Sequence, residues 1–131
     1  MIVETSALIA LALDEPEAAA FEHAMTEAEH LAMSAANYVE AFVVAENIGD
    51  PVLARQLEQL IRAYGIEIVP VSALQAATAA AAYRDYGRRS GHRAKLNFGD
   101  TFGYALAVTT DQPLLFKGDD FSETDVRRTL P

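Results

Sequence analysis

Four acidic residues, Glu4, Glu40, Asp100 and Asp119, stand where an α/β chain places its chemistry. Glu4 closes the apolar run Met1-Ile2-Val3, and Asp119 comes after Leu114-Leu115-Phe116, beyond Lys117 and Gly118. Parallel sheets bind ligands outside the carboxyl ends of their strands. Carboxylates crowded there repel and raise one another's pKa, a cost that a divalent cation removes. The donors are oxygens, and His23, His30 and His92 show no ligand spacing. Mg²⁺ or Mn²⁺ therefore suits the set better than zinc. A cation held by acids points to phosphate chemistry, with an activated water as attacking group. Neither a Gly-rich phosphate loop nor a nucleophile-elbow serine offers another route.

Each acid also has a plainer explanation. Glu4 can cap a helix. Glu40 shares a narrow polar stripe with Asn37 and Asn47 on an otherwise apolar helix, which solvent exposure accounts for. Asp100 ends Asn97-Phe98-Gly99-Asp100, a capping-box pattern. Asp119 and Asp120 come directly after Gly118, as turn residues do. The combination is more informative than its parts, because three of these acids open or close elements at one predicted sheet edge. Asn37, one turn before Glu40, is spaced to orient its carboxylate.

Charge adds a second signal. The net charge of −9 argues against a nonspecific nucleic-acid coat. Yet Arg84, Arg88, Arg89, Arg93 and Lys95 lie in one window opposed only by Asp85. A basic strip that ends five residues before Asp100 is what a metal-dependent nuclease needs, cations for the backbone and acids for the metal. A solvated helix end whose arginines favour the C-terminal dipole is the bland alternative.

Short apolar runs and helix-capping residues mark the elements that must position these side chains. Residues 2–5 form a short buried strand, and Thr5 and Ser6 cap a helix over 7–13. A second helix runs from Pro16 to about Ala28. Leu31–Met33 is a weak strand, and Ser34 caps a helix to about Asn47. Gly49-Asp50-Pro51 breaks it ahead of a helix over Val52–Tyr64. Ile66–Val71 is the clearest strand, 73–86 an Ala-rich helix, and Gly87–Leu96 a basic loop. A helix from Asp100 to Val108 and a last central strand over Leu114–Phe116 complete the chain. Strands alternating with helices imply one α/β domain over residues 1–131, with a parallel sheet covered on both faces. The middle strand, 66–71, ends without an Asp, which sets a phosphoacceptor receiver domain aside.

Half of the residues are apolar, enough for a core, and no run reaches the ~20 needed to span a membrane. The N-terminal run has no basic residue before it and Glu4 within it, unlike a signal peptide, so the expected compartment is the cytoplasm. Cysteine is absent, which removes disulfides and thiolate metal sites.

Four segments, in this order, resemble the PIN-domain ribonucleases, specifically the VapC toxins of type II toxin–antitoxin systems. They are Met1-Ile2-Val3-Glu4-Thr5-Ser6-Ala7-Leu8, Ser34-Ala35-Ala36-Asn37-Tyr38-Val39-Glu40-Ala41, Leu96-Asn97-Phe98-Gly99-Asp100 and Leu114-Leu115-Phe116-Lys117-Gly118-Asp119-Asp120-Phe121. The resemblance implies a helix-rich three-layer α/β/α sandwich. It implies Mg²⁺-dependent cleavage of RNA, usually tRNA or rRNA, by a homodimeric toxin inhibited by a VapB-type antitoxin. In its terms Glu4 and Asp100 bind the metal, Glu40 and Asp119 assist, and Asp119 has Asp120 beside it as the other candidate. Ser6 is the helper hydroxyl, and Arg88, Arg89, Arg93, Lys95 and Lys117 hold the RNA. Glu4 departs from a pattern that has Asp there, and Thr101 from one where Cys is common. One extra methylene moves a carboxylate by about 1 Å, and misplacement of that size can cost about 10²-fold in rate. An attenuated nuclease and a nuclease-dead RNA-binding module both remain open at this point.

Overall fold

The computed structural model describes residues 1–131. Its strands are β1 (Ile2–Val3), β2 (Ala32–Ser34), β3 (Glu67–Val69) and β4 (Leu114–Leu115). Its helices are α1 (Thr5–Ala12), α2 (Ala18–Glu27), α3 (Ala35–Ile48), α4 (Pro51–Ala63), α5 (Ala73–Tyr86) and α6 (Asp100–Thr109). All strand pairs are parallel, in the order β3-β2-β1-β4. No helix is long and apolar enough to cross a membrane.

Alternation along these short strands builds two cores, because successive side chains leave opposite faces of a sheet. Val3, Met33 and Leu115 pack with Leu8, Leu53 and Leu57 beneath α1–α4. Ile2, Ala32 and Leu114 pack with Tyr104, Leu106 and Phe121 on the α5–α6 side. The result is the expected three-layer α/β/α sandwich. Each of the fully buried leucines contributes roughly 2 kcal/mol by leaving water.

Local sequence sets the helix ends. Ser34 accepts from the Ala36 amide to start α3, and Gly49, at φ 77°, ends it in the left-handed region. Asp50 accepts from the Val52 amide and Pro51 fills the first turn of α4, where a missing N–H costs nothing. The basic loop after α5 is closed by a parallel bridge between Gly87 and Leu96 and anchored by buried Ala94 and Leu96.

Two expectations change. Thr5 and Ser6 do not cap the first helix. Glu4 does so with its own carboxylate, which accepts from the Ser6 amide, and the two hydroxyl residues fall inside the first turn. The strand at Leu114 is also not central. It ends the four-strand order, and its outer side is met by the C-terminal segment through Leu114 N–H to Arg127 O at 2.8 Å and Thr129 N–H to Leu114 O at 3.0 Å.

Strand order locates the crevice. The chain steps from β1 to β2 to β3 on one side, then returns to place β4 on the other. Connections that leave in opposite directions open a gap above the carboxyl ends of the strands where they part. Here that gap lies above β1 and β4, where the Glu4 amide donates to Leu115 O at 3.0 Å.

Candidate functional site

Glu4 projects from the end of β1 and is only 2 % exposed. Its Oε2 accepts from the Ser6 amide at 2.7 Å and from the Ser6 hydroxyl. Ser6 Oγ in turn accepts from the Lys117 amide at 2.9 Å, so one hydroxyl ties the Glu4 carboxylate to the end of β4. Glu40 reaches the same region from α3. Its Oε1 accepts from the Thr5 hydroxyl and from Asn37 Nδ2 at 3.2 Å. Asn37 Nδ2 also donates to Gly99 O at 2.9 Å, docking the turn before α6 onto α3. That pair of acceptors fixes which end of the Asn37 amide carries the nitrogen. The other end, Oδ1, is buried without a partner.

Asp100 opens α6. Its carboxylate accepts from the Asn97 amide at 2.7 Å and its own amide donates to Asn97 Oδ1 at 2.8 Å, the reciprocal capping-box bonds. The cap therefore exists, and it holds Asp100 where it meets the other acids. The polar stripe on α3 divides: Asn37 and Glu40 turn inward towards Gly99, and Asn47 stays exposed.

Electrostatics shows which acids act on one another. Burial pushes the Glu4 carboxyl up to about 7, with the charges of Asp100 and Glu40 adding to the rise and the Ser6 bonds opposing it. Burial pushes Asp100 up to about 6; Asp120 and Glu40 add to the rise, and the Asn97 amide and Arg88 oppose it. Glu4, Glu40, Asp100 and Asp120 thus form one electrostatic cluster. Asp119 lines a cleft with Glu17, Phe116, Lys117 and Arg128, and Glu4, Glu40 and Asp100 are not among its walls. The chain turns at Gly118, at φ 94°, and buried Phe121 anchors the segment beyond it.

The basic residues divide as well. Arg88 is exposed and near enough to act on Asp100. Arg89 and Lys95 are exposed, and Arg93 lies 3.7 Å from Glu123 at the surface. Arg84 forms an exposed pair with Asp85. Lys117 is paired with Glu15 and lies 3.5 Å from Glu17. His30 pairs with Glu67 at 2.8 Å, and His92 Nδ1 accepts from the Ala94 amide at 3.1 Å, so neither histidine joins the acids.

Thr5, Gly99 and Gly103 are site residues that spacing alone did not single out. A Cβ on Gly99 would lie 1.6 Å from Glu40 Oε2. The end of a glutamate can swing aside, but here only by leaving Thr5 and Asn37. Gly99→Ala should therefore cost stability by about 1–2 kcal/mol, measured by urea unfolding, while displacing Glu40 from the cluster. An isolated glycine inside a helical pattern, as at Gly103, was the available signal for a close approach.

The donor set fits a hard divalent cation. All its atoms are oxygens, burial raises two of its carboxyls to about 7 and about 6 so that a cation would compete with protons there, and the unpartnered Asn37 Oδ1 lies beside Glu4. No three acidic or histidine side chains form a ready-made cage, consistent with Glu4 and Glu40 each being engaged by a hydroxyl.

Comparison with known proteins agrees on the family. The PIN domain profile matches residues 1–127. Ribonuclease VapC42 of Mycobacterium tuberculosis is 48% identical over 127 residues, covering 97% of each chain. Ribonuclease VapC28 of the same organism is 48% identical over 130 residues, covering 99% of this chain and 98% of the relative. A toxin–antitoxin complex from Klebsiella pneumoniae contains a chain with TM-score 0.68 and 21% identity, covering 95% of this chain and 92% of that one, a likeness of fold.

Proposed function

The chain belongs to the PIN-domain family, in its VapC ribonuclease branch, and on that premise we propose that the acid-lined crevice hydrolyses RNA with the help of Mg²⁺ or Mn²⁺. The observation that supports this reading is the mutual electrostatic influence of Glu4, Glu40 and Asp100, which come from three separate segments, with Glu4 and Asp100 buried. Glu4 and Asp100 would hold the cation, with Glu40 and Asp120 beside them. Asp120 takes the fourth place in this reading because its charge acts on Asp100. Such a cation supplies a Lewis acid for a phosphoryl oxygen and a lowered pKa for water.

The chain's own groups do the positioning. Ser6 orients Glu4; Thr5 and Asn37 orient Glu40; Asn97 orients Asp100. Arg88 lies next to the acids, and with Arg89, Arg93 and Lys95 it would hold backbone phosphates, contacts that position RNA without reading its sequence. The relatives' names and the toxin–antitoxin complex support a toxin held in check by an antitoxin of the VapB type. A second copy of the chain is the other partner in this reading. It would cover apolar surface such as Val39 and Val43, which are 59% and 51% exposed on α3.

A nuclease-dead RNA-binding module is the second reading, and the hydroxyl bonds that already engage Glu4 and Glu40 favour it. Incubating purified protein with labelled total RNA separates the two. Discrete fragments with Mg²⁺ or Mn²⁺ and none in EDTA are expected. RNA that is bound but left intact under every cation condition would leave the binding module as the better account.

A further inference from the structure

Phe98 is 75% exposed, more than any other large apolar side chain at the surface. An exposed apolar side chain is by itself ordinary. What sets this one apart is how firmly it is presented. Its neighbours Leu96, Gly99 and Asp100 in the turn into α6 are buried. The Phe98 carbonyl accepts from the Thr101 hydroxyl at 2.6 Å. The Gly99 carbonyl accepts from Asn37 Nδ2 at 2.9 Å and from the Phe102 amide at 3.2 Å. Asn97 and Asp100 exchange capping bonds on either side. The ring meets that of Phe102 edge to face, with centroids 4.9 Å apart and planes at 88°. Such a contact uses one edge or one face, and leaves the Phe98 ring at least one face open to water.

Its surroundings are charged in a definite way. Phe98 stands two residues before Asp100, a span of at most about 7 Å. The Arg88 amide donates to Leu96 O at 3.1 Å, and the Gly87–Leu96 bridge lays the start of the basic loop along the same turn. Arg88, Arg89 and Lys95 are exposed there. Three cations beside the ring favour a polyanion over an apolar protein surface. A polyanion with flat apolar faces is a nucleic-acid strand, and it offers those faces where its bases are unpaired.

We infer that Phe98 is a stacking platform for an unpaired RNA base next to the scissile phosphodiester, with Arg88, Arg89 and Lys95 holding the adjoining phosphates. The place beside the cleaved bond rests on the proposed function; the stacking contact itself needs only that this strip binds RNA. Because the turn is already fixed, little further ordering is required when a base arrives. Stacking on an aromatic face tolerates every base, so Phe98 selects unpaired over paired RNA rather than one sequence.

The test compares full-length Phe98→Ala, Phe98→Leu and Phe98→Trp with the parent. Binding of a fluorescein-labelled single-stranded oligoribonucleotide is read in EDTA, KM and kcat for its cleavage are read with Mn²⁺, and melting temperature and self-association are recorded alongside. Phe98→Ala and Phe98→Leu are expected to weaken binding and raise KM about tenfold, with kcat within about threefold of the parent. Their melting temperatures should stay close to the parent's, because most of the ring is in water. Phe98→Trp should keep parental affinity, and a fully paired duplex of the same sequence should bind the parent and Phe98→Ala alike. Parental affinity and KM in Phe98→Ala, or in Phe98→Leu, which keeps apolar bulk without the aromatic face, would overturn the inference. So would loss of self-association in Phe98→Ala with RNA binding unchanged, which would assign the ring to a second copy of the chain. If RNA is cleaved with no dependence on Phe98, the inference fails and the proposed function stands. If binding depends on Phe98 but no divalent cation supports cleavage, the stacking contact stands and the proposed function fails. A parent that neither binds nor cleaves RNA would overturn both.

Discussion

Asp100→Asn should give a folded protein that cleaves RNA roughly 10²–10³-fold more slowly than the parent. The substitution keeps the shape of the side chain and an oxygen able to accept from the Asn97 amide at the head of α6. What it removes is one negative charge from the cluster made with Glu4, Glu40 and Asp120. The capping loss is at most about 1 kcal/mol, and relief of charge repulsion offsets it. Stability should therefore stay close to the parent while the rate collapses. Two companions sharpen the result. Asp120→Asn is expected to slow cleavage by more than about tenfold, because its charge acts on Asp100, and Asp119→Asn, whose side chain lines the neighbouring cleft, by less than about threefold. An Asp100→Asn enzyme within a few fold of parental activity would remove Asp100 from the chemistry.

The second large effect is a loss of stability as pH rises in the absence of divalent cations. Glu4 titrates near 7 in the fold against an ordinary 4.5, and Asp100 near 6 against 3.8. Both folded values lie above the unfolded ones, so folding favours the protonated acids. Their contribution is fully present below about pH 4, and it is lost as pH rises through about 6 and 7. A shift of one unit is worth about 1.4 kcal/mol, so the pair should cost on the order of 3 kcal/mol between pH 5 and pH 8. Urea unfolding in EDTA at several pH values measures this. Glu4→Gln should flatten the profile and stabilise the protein at pH 8. Added Mn²⁺ should stabilise the parent more at pH 8 than at pH 5.5, since the cation competes with protons for the same oxygens. A parent profile no steeper than that of Glu4→Gln would show that burial does not tax this carboxylate.

Much of this was readable in the chain, for identifiable reasons. Apolar runs cut by acids located the strand ends, and Ser34, Gly49 and Asp50 located helix ends because their side chains or backbone freedom act within a few residues. The four segments of the site were visible in order, and the capping box at Asn97–Asp100 formed as its spacing implied. What escaped depends on long-range contacts. That Glu4 caps α1 itself comes from the tight turn out of β1, which brings its carboxylate over the Ser6 amide. That the charge of Asp120 acts on Asp100 depends on how the Gly118 turn is held by Phe121 in the core, where its ring lies 4.9 Å from that of Phe116. The pairing of Lys117 with Glu15, more than a hundred residues earlier, has no local signal. The glycines carry no chemical signal of their own. Gly99 and Gly103 acquire meaning only from the Glu40 and Glu4 side chains packed against them.

Glu4 is thus a buried member of an acid cluster whose carboxyl is pushed up to about 7. The claim that this cluster is a cation site is met most directly by calorimetric titration of Mn²⁺ at pH 7.5 into the parent and into Asp100→Asn. The account predicts saturable binding to the parent, with protons released into the buffer, and binding to Asp100→Asn weaker by at least about tenfold. No saturable binding to the parent, or equal binding to both proteins, would contradict it.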